Sequence, residues 1–416
     1  MKLPALPPAI IYFIFFVGFF LAFLFIFLIL RKKEKIEVEA ISDDVSFIIP
    51  AKNVQHWIRK CLYSVINQDY PGKINIVVVN DGSTDNTQKI VEEVSKKIRK
   101  NKSRRIFLLS RESQGRKVFA VNHGLKFVLE KLKTKYTAVL DADSFIDKNA
   151  LKDMLPRLKG KTMCAICPIA IYNRNKLLTK LQSIEYTMSY FFKELLGKID
   201  SLCITPAFSI FRTEFFIKHG MYDINTITED FEIALRIKAA GYNIAISNLK
   251  VYTIAPEKIS SLRKQRVRWG YGEIQNFFKY SHLLFSRKHG MFGIFFFPVI
   301  FALGIITLIL GFLTLVYIII SQIVNLAHYI SLGWSPNLAF KINLFSLSLF
   351  FADQKLIFIL FSLIITSFFF IYSYQYRKEK INFFYFLVYV FVYSFFLALV
   401  RLEGIVRYIF KIKTGW

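Results

Sequence analysis

The sequence predicts an α/β domain with a mainly parallel sheet, set between α-helical membrane segments, and three observations carry that expectation. Short apolar runs rich in β-branched residues alternate with helical patterns across residues 45–140, as in a parallel sheet covered on both faces. Residues 8–30 ("PAIIYFIFFVGFFLAFLFIFLIL") carry no charge over a length that crosses a ~30 Å hydrocarbon core as helix. The chain of 416 residues is 54% hydrophobic and 17% aromatic, with a mean hydropathy of +0.40, which favours one domain plus a membrane part over two soluble domains.

The first apolar run is longer than the ~7–15 residues of a signal-peptide core and no small-x-small site ends it, so residues 1–30 read as a retained anchor. "RKKEK" follows at once and places the next segment in the cytoplasm, with the whole chain an integral protein of the cell membrane. The polar block divides into a cytoplasmic domain at 31–255 and an interface region at 256–290. Strands are expected at 45–49, 74–79, 106–109 and 136–140, with helices at 54–68, 85–99 and 117–131 between them. Uncharged, Phe-rich runs at 293–319, 356–374 and 382–400 make 291–416 a second membrane region of about three spans, four in all. A weaker run at 338–352 contains Lys341 and stops at Asp353; it reads as a short crossing, a re-entrant piece or an interfacial helix. "RKEK" (377–380) and the tail with Arg401, Arg407, Lys411 and Lys413 both favour the cytoplasm although they flank one span, which leaves the side of the C-terminus open.

The net charge of +27 suits anionic lipid headgroups or phosphorylated substrates. It would suit nucleic acid as well, but the spans argue against that partner. Four cysteines make no disulfide framework in a cytoplasmic domain. Cys164 and Cys167 fall in "KTMCAICPIAIY", read as one buried strand on which positions three apart point to opposite faces, so core packing is expected rather than a metal.

In parallel sheets ligands bind beyond the carboxyl ends of the strands, and the polar motifs sit there. "PAKN" (50–53) follows the first strand and "NDGSTDNT" (80–87) the second. Gly82 allows a tight turn, and Ser83, Thr84 and Asp85 can cap the next helix, which leaves Asp81 at the strand tip as an acceptor for a base or ribose. The fourth strand ends in "LDADSFID". If the chain stays extended there, Asp141 and Asp143 project to one side, and two hard oxygen ligands suit Mg²⁺ or Mn²⁺ shared with substrate phosphates. "NTITEDFEIALRIKAAGYNI" (225–244) reads as a helix with Thr228 as cap, acids in its first turn and Gly241 at its end; Asp230 is either part of that capping pattern or a general base. Residues 174–196 carry an apolar stripe of Leu177, Leu181, Ile184, Met188, Phe191 and Leu195, which fits an amphipathic helix in the interface or packed on the domain. In "RKQRVRW" (263–269), Gln265, Arg268 and Trp269 share one helix face, while Arg263, Lys264 and Arg266 are expected to turn toward lipid headgroups.

Taken in order, Asp81 in "VVNDGSTD", "DADS" at 141–144, "TED" at 228–230 and "QRVRW" at 265–269 resemble the motif series of membrane-integrated family 2 glycosyltransferases, such as the cellulose, hyaluronan, chitin-oligosaccharide and poly-N-acetylglucosamine synthases. The likeness covers roughly residues 45–290 and implies a GT-A-type nucleotide-sugar-binding fold. By that resemblance Pro50, Ala51, Asn53 and Asp81 would hold the nucleoside of a UDP-sugar, and Lys117 would match the family's lysine near the nucleotide. Asp141 and Asp143 would hold the diphosphate through Mg²⁺ or Mn²⁺. Asp230, beside Glu229, would deprotonate the acceptor. Gln265 and Arg268 would face the diphosphate and Trp269 the acceptor sugar. The chain departs from the family at Asn80, where a second aspartate is usual, at Val54, where an acid often follows, and at Pro206 in "ITPAFSIFR", where Gly is common.

The resemblance implies an inverting enzyme that transfers sugar from a UDP donor to a growing β-linked polysaccharide. A membrane lipid acceptor receiving one sugar is the alternative, favoured by the small number of spans and by a C-terminal part whose tryptophans are Trp334 and Trp416 alone. A channel, transporter subunit or inactive scaffold fits less well, because the clear spans carry no internal charge. These residues fix neither the sugar, the linkage nor the oligomeric state.

Overall fold

The computed structural model describes residues 8–31, 41–331, 354–377 and 382–412. The weaker run at 338–352, Trp334, Trp416, Lys413 and most of both "RKKEK" and "RKEK" lie outside the described residues. The chain divides into two compact units, one of Met1–Arg31 with Pro298–Asn382 and the other of Lys32–Phe297 with Phe383–Trp416.

The strands, in chain order, are β1 (Val45–Ala51), β2 (Ile74–Asp81), β3 (Arg104–Arg111), β4 (Tyr136–Leu140), β5 (Phe145–Ile146), β6 (Thr162–Ile166), β7 (Ile169–Ile171), β8 (Phe208–Arg212), β9 (Asn243–Ile246) and β10 (Val251–Thr253). The helices are α1 (Pro8–Leu30), α2 (Ile58–Ile66), α3 (Thr87–Ile98), α4 (Lys117–Phe127), α5 (Ala150–Met154), α6 (Leu177–Gly197), α7 (Glu214–His219), α8 (Glu229–Ala239) and α9 (Ile259–Lys279), followed by apolar helices named below by their residues. A seven-stranded sheet runs β3-β2-β1-β4-β8-β6-β9, and a three-stranded sheet runs β5-β10-β7. β1 pairs in parallel with β2 and β4, and β2 with β3, while β8 lies antiparallel between β4 and β6. The four expected strands and three helices are all present within a few residues of their expected ends.

The alternation of side chains along the parallel strands decides the layers. Val45, Phe47 and Ile49 of β1 and Ile76 and Val78 of β2 join a buried cluster with Cys61, Leu62 and Val65 of α2 and Val91 and Val94 of α3. Ile48 and Val79 point to the other face, where α4 comes so close that a Cβ on Gly124 would lie 2.7 Å from the Ile48 side chain. Arg104, buried at the start of β3, donates to the carbonyls of Ile66, Gln68, Tyr70, Gly72 and Ser103, tying the turn after α2 to the sheet.

The structure corrects the reading of 162–171 as one strand. The run breaks at Cys167 and Pro168, so β6 joins the large sheet and β7 the small one. All four cysteines are buried free thiols, as core packing requires. α6 packs on the domain, against β7 and β9, with Leu181, Ile184, Met188, Phe191 and Leu195 buried; only Leu177 of the expected stripe, 50% exposed, stays outside.

Three helical stretches among the described residues are long and apolar enough to cross a membrane, Tyr12–Leu30, Phe292–Thr314 and Phe383–Ile409. The expected run at 356–374 lies within the helix Gln354–Tyr376. In the first unit Phe19 of α1 meets Phe361 at 4.8 Å between ring centroids, and Phe25 meets Phe369 at 6.4 Å. In the second, the end of Phe383–Ile409 packs along α9. Arg401 pairs with Glu273, and Glu403 takes two bonds from Arg263 at 2.7 and 2.9 Å and one from Arg407 at 2.8 Å. Arg263 is therefore an interhelical ion-pair partner whose side chain stays half exposed.

Candidate active site at the carboxyl ends of the strands

The turns after β1 and β2 are stitched together by their own polar side chains. Asn53 sits at φ 51°, its backbone N–H donates to Ser83 Oγ at 3.1 Å, and its Oδ1 accepts from Thr84 N at 2.8 Å. Val54 N donates to Thr87 Oγ1 and Gln55 N to Asp85 Oδ2. The amide oxygen of Asn53 thus braces the second turn, Ser83 Oγ and Asp85 Oδ2 serve the first turn, and Asp85 Oδ1 also accepts from the backbone N–H of Thr87 at the start of α3, at 2.9 Å. Its N-cap is Asn86, with no side-chain cap bond. Asn80, at the family's departure, also braces this turn, donating to Gln88 Oε1 and accepting from Ser83 N.

Beneath these turns Asp81 is buried. Its Oδ2 accepts from Ser113 Oγ at 2.9 Å, and Ser113 accepts in turn from Lys52 Nζ at 2.9 Å. Arg111 Nε lies 3.2 Å from Oδ1 but is out of line for a hydrogen bond, since it donates to the Glu112 carbonyl. Asp81 Oδ1 is therefore a buried acceptor without a donor, a feature that a base N–H would satisfy.

The acids at β4 meet by a route the sequence reading did not foresee. β4 ends at Leu140, and Asp141–Ser144 is a tight turn closed by Ser144 N donating to Asp141 O at 2.9 Å. The turn, not an extended chain, brings Asp141 and Asp143 together. Burial and the neighbouring Asp141 charge push the Asp143 carboxyl up to about 6 against the pull of Lys117. Lys117, the first residue of α4, pairs directly with Asp141. Burial works against its charge, but Asp141, Glu229 and Asp230 outweigh that and hold its pKa above the usual lysine range. Glu229 is raised by burial and by Asp230, with Lys117 and Arg268 opposing. Lys117, Asp141, Asp143, Glu229, Asp230 and Arg268 thus share one electrostatic neighbourhood, although they come from four separate segments. Among the described residues no group of three or more His, Cys, Asp or Glu could hold a metal ion. The donor set on offer is two repelling hard carboxylates, which fits a divalent cation that completes its shell with diphosphate oxygens.

Thr228 is the N-cap residue of α8 as expected, but its hydroxyl makes no cap bond. It accepts from Asn276 Nδ2 of α9 at 3.0 Å. α9 holds the whole approach to "TED". Gln275 Oε1 accepts from Ile227 N at 3.0 Å, Thr226 Oγ1 donates to Asn276 Oδ1, and a Cβ on Gly272 would lie 2.2 Å from Thr228 Oγ1. Thr205 Oγ1 donates to the Asp230 carbonyl at 2.5 Å, and Asp230 Oδ1 accepts from Phe231 N at 2.9 Å. Ser113, Thr205, Gln275 and Asn276 were missed from sequence, where no spacing distinguishes them from solvated polar residues.

In "RKQRVRW" only Lys264 remains an exposed cation with no ion pair described. Arg266 is 5% exposed and bonds to Glu185 of α6, which overturns its assignment to lipid headgroups; the helical face it occupies is covered by α6. Lys193, farther along α6, is brought down to about 8, chiefly by burial, with Asp230 among the charges acting on it. A cavity of about 520 Å³ lined by Lys133, Lys135 and Arg212 lies at the opposite, amino-terminal edge of the sheet and holds none of these residues.

Comparison with known proteins bears on the family and the fold. The model of glycosyl transferase family 2 matches residues 46–220, and that of glycosyl transferase family group 2 matches residues 136–400. The poly-beta-1,6-N-acetyl-D-glucosamine synthase of Staphylococcus aureus (strain COL) is 29% identical over 250 residues, 58% of this chain and 57% of that protein. The synthase of the same name from Staphylococcus epidermidis is 31% identical over 252 residues, 59% of this chain and 57% of that one. The match thus spans little more than half the length of these relatives. Among solved structures, the mannosyltransferase PcManGT from Pyrobaculum calidifontis, in complex with GDP-Man and Mn2+, has a TM-score of 0.65 over 97% of this chain and 98% of that one at 14% identity, which supports the GT-A-type fold.

Proposed function

That the chain belongs to the family 2 glycosyltransferases is the premise from which we propose that it is a membrane-bound, inverting polysaccharide synthase using a UDP-sugar, with an N-acetylglucosamine polymer as its product. The observation that carries the proposal is the convergence of Lys117, Asp141, Asp143, Glu229 and Asp230 beyond the carboxyl ends of β1 and β4. The product class is supported by the named synthases, and the donor base by the orphaned acceptor of Asp81, which suits the imide N–H of uracil.

On this reading Pro50, Ala51 and Asn53 frame the nucleoside pocket, and Asp81 reads the base. Asp141 and Asp143 would hold Mg²⁺ or Mn²⁺, which supplies charge neutralisation to the diphosphate. Lys117 keeps the two carboxylates in place. Asp230 removes the acceptor hydroxyl proton as the oxygen bonds to the anomeric carbon; the bond from that carbon to the diphosphate breaks and UDP leaves with the electron pair, inverting the centre. Arg268, whose planar fork suits phosphate oxygens, faces the leaving group with Gln265, and Trp269 offers a flat apolar face to the acceptor ring. Glu229, its carboxyl raised by burial and by the adjacent Asp230, sits beside the base. The catalytic block works on the cytoplasmic side of the cell membrane, with membrane lipids around its apolar helices.

The test is a panel of labelled UDP-N-acetylglucosamine, UDP-glucose and GDP-mannose, given to the purified chain with Mn²⁺ or Mg²⁺, followed by product sizing and partition into organic solvent. A large aqueous product from UDP-N-acetylglucosamine is expected. A single sugar on an extractable lipid would sink the polymer reading, and transfer from GDP-mannose alone would sink the UDP assignment. Asp230→Asn should lower turnover by about 10²–10⁴ with nucleotide binding unchanged; normal transfer by that variant would overturn its role as base.

A further inference from the structure

Arg266 lies at the centre of a buried network that no step above uses. Its Nη1 donates to Gln265 Oε1 at 2.7 Å and its Nη2 to Glu185 Oε2 at 2.8 Å. Its guanidinium lies 3.9 Å from the centroid of the Trp269 ring and 5.8 Å from that of Tyr186 on α6. Burial opposes its charge, but the adjacent Glu185 carboxylate more than compensates and holds the pKa above the usual arginine range. Glu185 takes a second bond at the same oxygen, from Tyr393 Oη at 2.7 Å. Tyr393 closes a wide helical turn, Tyr389–Tyr393, inside the apolar stretch Phe383–Ile409. Such insertions redirect side chains and recur at functional sites.

Each contact removes a freedom that the α9 motif would otherwise have. Engaging Gln265 Oε1 settles which way the amide faces and leaves its NH₂ as the outward donor. A cation stacked on one face of Trp269 fixes the indole and leaves the opposite face for a ring of another molecule. One planar fork reaches Gln265, Glu185 and Trp269 together, which a point-charge ammonium cannot.

We propose that Arg266 is a positioning residue that fixes Gln265 and Trp269 in one arrangement, and that Glu185 and Tyr393 set this arrangement from the apolar helix Phe383–Ile409. The inference rests on reading Gln265 and Trp269 as the residues that meet donor and acceptor. Its consequence is that a movement of that helix at Tyr393 is felt at the acceptor side of the site.

The test uses the full chain in a Trp57→Phe, Trp334→Phe, Trp416→Phe background, in which Trp269 is the one remaining indole. Arg266→Lys and Glu185→Gln should each lower the Trp269 fluorescence anisotropy, expose it to iodide quenching and reduce kcat by about tenfold or more, while affinity for UDP with Mn²⁺ falls by less than kcat does, because Gln265 is one of several groups on the donor. Tyr393→Phe should change all three readouts in the same direction by less. Arg266→Lys combined with Trp269→Phe should be no worse than the poorer single variant, since one acts through the other. Unchanged anisotropy, or losses that add, would overturn the proposal. If Arg266→Lys does not fold, Tyr393→Phe decides by the same readouts. Should the parent chain transfer sugar from no donor, the function fails, and Trp269 anisotropy alone then decides the inference.

Discussion

Asp143 gives a prediction whose sign and size follow from its surroundings. Its carboxyl is pushed from the ordinary 3.8 up to about 6 by burial and by Asp141. The folded state therefore holds a proton that the unfolded state releases between those two values, so stability falls as pH rises through that window and the full penalty is present above about pH 6. Two pKa units correspond to about 3 kcal/mol at pH 7.5, and the same linkage leaves about half of that at pH 5. Asp143→Asn removes the charge and keeps the shape, so in the absence of divalent ions it should stabilise the protein at pH 7.5 by up to about 3 kcal/mol, a rise in Tm of several degrees for a unit of this size. The gain should shrink by about half at pH 5 and vanish below about pH 4. The same variant should lose Mn²⁺-dependent transfer, and Mn²⁺ should raise the Tm of the parent at pH 7.5 but not that of the variant. Thermal melts from pH 4 to 8, with and without Mn²⁺, check all three. A variant that is no more stable at pH 7.5, or that Mn²⁺ still stabilises as it does the parent, would refute the argument that two repelling carboxylates await a cation.

Three further predictions follow from single contacts. Asp81→Asn places an amide where Oδ1 lacks a donor, so affinity for UDP should fall by roughly tenfold while Mn²⁺ stabilisation is unchanged; calorimetric titration reads both. Gly272→Ala puts a methyl within 2.2 Å of Thr228 Oγ1, so α9 must retreat from "TED", at a cost of about 1–3 kcal/mol and with a loss of kcat that exceeds any change in donor KM. Arg104→Met leaves five carbonyls, three of them in buried bonds, without this donor and should destabilise by roughly 3–5 kcal/mol, measured by denaturant unfolding, without altering the pH profile of transfer.

The parallel half of the sheet was legible because each strand is a β-branched apolar run bounded by turn residues, and β1, β2 and β4 all end where the polar motifs begin. Where the reading failed, it failed on geometry that a neighbouring element imposes. Asp141 and Asp143 were placed side by side on an extended chain, yet a turn closed by Ser144 does that work. The strand over 162–171 was read through Pro168, although a proline in such a run is itself a break signal. Arg266 was assigned to lipid because helical spacing turns it away from Gln265 and Trp269. Spacing tells which face a residue takes, not what covers that face, and α6 with Glu185 covers it.

A sign of that covering is nonetheless present in "RWGYGE". Two glycines within a 21-residue helix disfavour it by about 1 kcal/mol each relative to alanine. The structure gives each a reason on a different side of α9. A Cβ on Gly270 would lie 2.6 Å from the Arg401 carbonyl, and one on Gly272 would meet Thr228, while Gly404 across from Gly270 would place its own Cβ 2.5 Å from Val267 O. α9 is thus held with its backbone close to that of the apolar tail helix on one side and against the Thr228 side chain of "TED" on another. A helix so confined can neither roll nor slide without breaking one contact or the other, and it is the element that carries Gln265, Arg268 and Trp269. The costly glycines are what allow a motif of three side chains to be presented by a helix fixed between the proposed base and a membrane-type segment.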